Sequence, residues 1–478
     1  MEEKLREYFG DAVVYKTPEQ SSFFSAMSLP SFLRDWLVMK FSDEEGNVDV
    51  GEMSSYVDAY VPRKEQWEQL KFTMTHERRT AKFLSKIRVE IDIETGDALF
   101  SLPDFGFPRR KREAVVERNV LNQHKEELLA SGEVWGVVEL AYFVDDNNKG
   151  NRVHMVGFAP FRPYNVDLSY YQEARTFFSI DEWLDVLLGA IDYNPTGFLN
   201  DLQKTTMLTR LLPFVEKRTN LIELAPKGTG KSYMFSQISK YGWLVSGGSI
   251  TRARLFYDMN RKTNGLVSYY DYVALDEIQS ITFSEPMEIQ GALKGYLESG
   301  EFRVGDHQGV GSAGFVLLGN IYTEFMDANR NMFHHLPGIF HESALLDRFH
   351  GFIKGWDIPR MKESMKANGW ALNSEYFSEI MHLMRDDIVY RGVIDEVLDV
   401  PKDADHRDTE AIKRLCTGFL KLFFPNVSCP DDIDAYDFNK YCLEPAMGMR
   451  QIIKTQMGII DSGEFAGKRI PDIRYKYI

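Results

Sequence analysis

Residues Leu221–Ser232 read LIELAPKGTGKS, an apolar run followed by a glycine-rich turn that ends in Gly-Lys-Ser. The last eight residues nearly spell the phosphate loop GxxxxGK[ST], with Ala225 in place of the first glycine. Leu221–Leu224 predicts a short strand, and KSYMFSQISKYG predicts a helix that stops at Gly242. Strand, glycine turn and helix in this order are the setting the motif requires. Gly228 and Gly230 let successive N–H groups converge on phosphate oxygens, where the start of the helix adds partial positive charge. Lys231 then reaches the outer phosphates and the Ser232 hydroxyl sits on Mg²⁺, with Pro226, Lys227, Thr229 and Tyr233 completing the expected nucleotide contacts. Alanine at 225 costs turn geometry but removes no group that touches phosphate.

Three downstream segments follow in a consistent order. YYDYVALDEIQ holds an apolar strand ending in Asp276 and Glu277. This strand is expected beside the loop strand, with Asp276 as a metal ligand and Glu277 orienting the attacking water. GFVLLGN ends in Asn320, placed to contact the γ-phosphate and the water; a plain strand-end cap reads equally well there. ALLDRFHGF puts Arg348 after an apolar turn, where it would serve the site of a neighbouring subunit. Lys231, Glu277, Asn320 and Arg348 are therefore the candidate catalytic set. The layout predicts an α/β fold: an AAA+ P-loop NTPase core with a parallel sheet and helical lid, preceded by an α+β N-terminal domain.

With 478 residues the chain is too long for one domain. The expected divisions are 1–200 (N-terminal, a candidate DNA-binding domain), 201–360 (the ATPase core) and 361–478 (lid and C-terminal segment). The N-terminal part contains a predicted hairpin, KIRVEIDIETGDALFSL, and a second across the turn Asp145–Asn151. A net charge of −15 makes the chain a poor general polyanion binder, so nucleic-acid contact requires local basic elements. Two occur, Arg78, Arg79 and Lys82 in one and Arg109, Arg110, Lys111 and Arg112 in the other; an ordinary solvated face explains them equally well. Cys416, Cys429 and Cys442 have no metal or disulfide spacing, and no segment has the length and apolarity of a membrane span. A reduced, cytoplasmic protein with no membrane association is expected. The cluster His334, His335, His341 and Glu342 matches no metal motif.

Together, LIELAPKGTGKSYMFSQISKYGWLVSGGSITRARLFYD, YVALDEIQ, GFVLLGNI and ALLDRFHGFIKGW resemble the Lon-like AAA+ proteins of BREX phage-defence systems. Within that family the chain looks like a short form lacking the C-terminal Lon protease-like domain, so peptidase activity is not expected. The resemblance is strongest over residues 221–356. It implies an ATP- and Mg²⁺-dependent homo-oligomeric ring, a hexamer or a stack of rings, that encircles DNA without sequence preference and works with other BREX components. The core is similar to that of MCM helicases, which implies a pore hairpin before the Asn320 strand. EFRVGDHQGVGS sits there, with Arg303 and His307 as the DNA-facing candidates. The lid arginine is open between Arg407 and Arg414. Two rival functions remain at this level: a protein-directed unfoldase or assembly factor using Tyr269-Tyr270 in its pore, and a slow nucleotide-switched scaffold.

Overall fold

The computed structural model describes residues 1–18, 24, 29–43, 45–110, 112–129, 133–144, 152–164, 166–260 and 262–476. Two compact units emerge, Leu37–Asn165 and a larger one composed of Met1–Trp36 with Val166–Ile478. The division differs from the expected boundary near residue 200. Residues 166–200 carry the helix Ile180–Ala190, started by a Ser179/Glu182 capping box. Its apolar side chains Trp183, Leu184, Leu187 and Leu188 are fully buried, and Trp183 donates to the Leu422 carbonyl at 3.0 Å. That helix is therefore core material of the larger unit.

The smaller unit is a closed five-stranded barrel: β1 (Ala81–Ile91), β2 (Ala98–Ser101), β3 (Ala114–Val116), β4 (Val134–Phe143) and β5 (Arg152–Pro160), in the order β1-β2-β3-β5-β4. β1 makes closure possible because it is long enough to serve two neighbours. Arg88–Ile91 pair with β2, whereas Ala81–Ile87 pair with β4. β3 and β5 run parallel; the chain between them carries the helices Arg118–Gln123 and Lys125–Leu128 and then β4. Phe83, Ile87, Phe100, Leu102, Val138, Leu140 and Met155 fill the interior. This Greek-key arrangement is that of small OB-type barrels. Both predicted hairpins are present as β1–β2 and β4–β5; the turn Asp145–Asn151 lies outside the described residues.

The larger unit is built on a parallel sheet. After α1 (Asp201–Thr209) come β6 (Leu221–Ala225), α2 (Lys231–Gln237), β7 (Gly242–Ser246), β8 (Tyr272–Asp276), α3 (Pro286–Ser299), the hairpin β9 (Glu301–Val304) and β10 (His307–Val310), β11 (Gly314–Asn320) and β12 (Gly351–Lys354). The sheet order is β12-β6-β11-β8-β7, all pairs parallel. Every residue of β6 and β8 is buried, as central strands covered on both faces require. Two expectations are corrected. The Asp-Glu strand does not lie beside the loop strand, because β11 is inserted between them. Gly242 opens β7 and does not cap α2: a Cβ there would lie 1.9 Å from the Tyr272 ring, so aromatic packing demands the glycine. Beyond β12 the chain is mainly helical, with α4 (Ser374–Met384), α5 (His406–Phe423) and α6 (Glu444–Ile460). No helix among the described residues is long and apolar enough to cross a membrane.

Candidate active site

β6 delivers the chain to the glycine turn at the C-terminal edge of the sheet. Gly228 and Gly230 adopt positive φ, 82° and 76°, the left-handed conformation that glycine tolerates without strain. Ala225 does not, so the absent first glycine removes no required backbone freedom. The neighbouring strand accommodates its methyl. β12 runs in register with β6, and a Cβ on the following Gly355 would lie 2.2 Å from the Ala225 Cβ. The absence of a side chain at Gly355 is what leaves room for the Ala225 methyl.

Lys231 begins α2 and is buried. Its Nζ reaches the Pro226 carbonyl at 3.3 Å and Asn320 Oδ1 at 3.4 Å, two long contacts for a group with three donors. Burial pushes its pKa down, with Arg210 adding to the effect and Glu223 and Asp276 opposing it. An ammonium in this state gains from an arriving anion. Beside it, Ser232 Oγ donates to Asp276 Oδ2 at 2.5 Å, while Asp276 Oδ1 accepts from the Glu277 amide at 2.8 Å. A hydroxyl and a carboxylate oxygen at one point are the hard donors Mg²⁺ prefers, so these residues fit that ion. Glu277 turns outward at positive φ, 50°, leaving its carboxylate exposed next to Asp276.

The inserted β11 explains how Asn320 enters the site: its strand lies between the loop strand and the acidic strand. Sequence reasoning missed Gln279, which fixes that strand end. Its Nε2 donates to the Asn320 carbonyl at 2.7 Å, and its Oε1 accepts the Asn320 amide at 3.4 Å. No local motif signals this, because the partners are joined only by the fold.

Arg348 lies elsewhere. It precedes β12, whose Gly351 pairs with Leu221 at the start of β6, whereas the phosphate loop follows the end of β6. Five strand residues at about 3.3 Å each separate the two ends by roughly 16 Å. Arg348 Nε instead meets Glu298 Oε2 at 2.8 Å. Arg407 shares that carboxylate at 3.1 Å and reaches Asp347 at 3.2 Å. A cleft of about 190 Å³ beside them is lined by Glu298, Arg348, His350, Arg407, Glu410 and Arg414, and by no phosphate-loop residue. Arg407 and Arg414, the two lid candidates, are thus companions of Arg348.

The other candidates fall in varied settings. Pro226 and Thr229 are loop residues with the former half-buried and the latter buried; Lys227 is exposed. Tyr233 faces away from the loop: its hydroxyl donates to Asp192 at 2.6 Å and accepts from Arg34 at 2.6 Å. Arg303 is exposed on β9, its Nε bonded to the Gly305 carbonyl at 3.1 Å. His307 lies flat on Tyr257, ring centroids 3.5 Å apart, and so braces the hairpin. On the barrel unit, Arg78, Arg79, Lys82, Arg109 and Arg110 are exposed, with Arg79 loosely paired to Glu77 at 3.8 Å. Arg112 is neutralised by Asp92 and Glu94, and Lys111 lies outside the described residues. Tyr270 is buried in the sheet core and Tyr269 packs against it, which removes them as a pore-facing pair. Among the described residues no histidine or acidic cluster is arranged to hold a metal, and all three cysteines are free.

Comparison with known proteins identifies the family. A family model described as "Lon-like protease BrxL-like, ATPase domain" matches residues 153–470, and "BREX system Lon protease-like protein BrxL N-terminal" matches 7–142. A curated protein of Escherichia coli O9:H4 (strain HS), "Lon-like protease BrxL", is 30% identical over 99% of this chain and 66% of its own length. One of the same name from Bacillus cereus (strain H3081.97) is 34% identical over 74% of this chain and 51% of its own. The chain therefore spans between half and two thirds of these relatives.

Proposed function

The chain belongs to the BrxL-like family, and from that premise we propose that it is an ATP-hydrolysing AAA+ protein that acts on DNA as a ring in BREX-type defence. The observation that carries the enzymatic part is the meeting of Lys231, Ser232, Asp276 and Asn320 at the end of three adjacent strands. Loop amides and Lys231 hold the β- and γ-phosphates; Asn320 and Glu277 place the water. The water oxygen bonds to the γ-phosphorus as the bridging P–O bond breaks, and Glu277 receives the proton. Ser232 and Asp276 would hold Mg²⁺, which would supply charge neutralisation on the phosphates.

Arg348 and Arg407 are too far along the sheet to serve their own loop. On this reading they meet the γ-phosphate bound by an adjacent copy, giving up Glu298 for a more highly charged partner. A closed ring of head-to-tail copies satisfies that sharing at every interface. The hairpin bearing Arg303, and the barrel with its exposed Arg78, Arg79, Lys82, Arg109 and Arg110, are the proposed DNA contacts, made to phosphates and so indifferent to sequence. For the barrel the support is fold analogy with oligonucleotide-binding barrels plus surface charge. The relatives are named proteases; the reading assigns this chain ATP hydrolysis alone.

ATP turnover measured alone, with duplex DNA and with an unfolded protein tests the proposal. Stimulation by DNA only is expected. Stimulation by unfolded protein only would make it a protein-directed machine, and DNA binding without turnover would make it a scaffold.

A further inference from the structure

One fully buried ion pair stands behind the phosphate loop, and none of the proposed catalytic steps uses it. Arg210, the residue after α1, has no exposed surface; neither has Glu223 in the middle of β6. Glu223 receives Arg210 Nε at 2.9 Å and Nη2 at 2.5 Å, a bidentate fork. The opposite edge of the guanidinium turns to the loop: Nη1 donates to the Thr229 carbonyl at 2.8 Å and Nη2 to Thr229 Oγ1 at 3.3 Å. We propose that Arg210, oriented by Glu223, is a positioning residue that fixes the direction of the Thr229–Gly230 peptide and thereby aims the Gly230 amide at bound phosphate.

A trans peptide is planar and its C=O and N–H point in opposite directions. Holding the Thr229 carbonyl toward the buried guanidinium therefore turns the Gly230 N–H toward the open side of the loop. Gly230 sits at φ 76°, where glycine permits the inverted peptide as well, so the backbone alone does not enforce this orientation. With the peptide inverted, a carbonyl oxygen would confront the phosphate. Thr229 is itself buried, so its carbonyl would otherwise face the interior without water. The pair is also a poor device for stability alone, since well-packed apolar residues in place of a buried ion pair are often neutral or stabilising. Lysine could balance the charge of Glu223, but it has no planar fork to span both Glu223 and Thr229.

The inference rests on the nucleotide site proposed above, and Lys231→Ala separates the two. Binding of ADP and of adenosine to the full chain is measured for wild type, Lys231→Ala, Arg210→Lys and the double variant Arg210→Met/Glu223→Leu, with thermal midpoints recorded alongside. The double variant should keep its midpoint and lose about tenfold to a hundredfold in ADP affinity, as expected for losing a hydrogen bond from the Gly230 amide to a charged acceptor. Adenosine binding should not change, because the lost group touches phosphate only. Arg210→Lys should show a smaller loss in the same direction, and it decides the matter if the double variant does not fold. Wild-type ADP affinity in a folded Arg210 variant, or equal losses for ADP and adenosine, would overturn the assignment. Unchanged ADP binding in Lys231→Ala would instead overturn the nucleotide site.

Discussion

Replacing Gly355 by alanine tests whether the altered phosphate loop depends on the strand beside it. The new Cβ would stand 2.2 Å from the Ala225 Cβ, 2.9 Å from the Ala225 Cα and 2.9 Å from Glu223 Oε1. Carbon atoms pack at about 3.5–4.0 Å, so the overlap is roughly 1.5 Å and part of it falls on backbone. Overpacking of this kind costs about 1–3 kcal/mol. At about 2.1 cal/mol/K of unfolding entropy per residue, a unit of roughly 350 residues loses about 1.4 °C per kcal/mol, so a fall of about 1–4 °C is expected. Ala225→Gly alone should cost about 1–2 kcal/mol, from about 0.8 for the buried methylene-sized group and about 0.5–1 for glycine's chain entropy. Combined, the two changes move the methyl to the other strand. The double variant should be more stable than the sum of the single effects predicts by about 1–3 kcal/mol, a coupling readable from denaturant melts. Because Glu223 is also the carboxylate that holds Arg210, and the new Cβ would stand 2.9 Å from its Oε1, ADP affinity should fall in Gly355→Ala. Strictly additive stabilities, or a Gly355→Ala protein as stable as wild type, would refute the idea that the two positions compensate.

Further predictions concern separate parts of the molecule. Glu277→Gln should retain ATP binding but lower turnover by about 10²-fold or more, the contribution expected of a general base, measured as phosphate release against nucleotide affinity. Arg303→Ala should weaken DNA binding equally across sequences and reduce the salt dependence by about one phosphate contact per subunit, read from binding isotherms at several salt concentrations. Glu375 is buried beside Lys240 and Glu379, and desolvation raises its carboxyl from 4.5 to about 7 despite the lysine. Its folded form holds a proton that the unfolded chain has already released, so this group's contribution to stability falls as pH rises from about 4.5 to 7 and is level above that. Glu375→Gln should flatten that part of the stability–pH curve; an unchanged slope would contradict the assignment.

How much of this was legible in the sequence depended on how local each signal was. The phosphate loop was readable because its strand, turn and helix start are contiguous, and even Ala225 could be judged tolerable from its small size. The reason it is tolerable was not readable, since Gly355 meets it only through the β6–β12 register. The same limit hid Arg210 and Gln279, whose roles are created by strand order and buried apposition. Two hairpins were evident from alternation across turn residues, but barrel closure was not. Closure requires β1 to bend between two partners and β3 to pair in parallel with β5, and neither leaves a periodic mark. His307 shows the opposite error: a polar residue on a predicted hairpin looked exposed, yet Tyr257 provides an aromatic face that covers it. Tyr269 and Tyr270 likewise looked available until the fold placed them against the core.

The central claim is a catalytic site completed by a second copy of the chain, with Lys231 at one end of the sheet and Arg348 at the other. Steady-state ATP hydrolysis by mixtures of Lys231→Ala and Arg348→Ala chains tests it most directly. Each variant alone should be inactive, with Arg348→Ala still binding nucleotide. Mixed assemblies should regain activity, because some interfaces pair an intact Lys231 with an intact Arg348. Inactive mixtures of chains shown to co-assemble, or full activity in Arg348→Ala alone, would contradict the shared site.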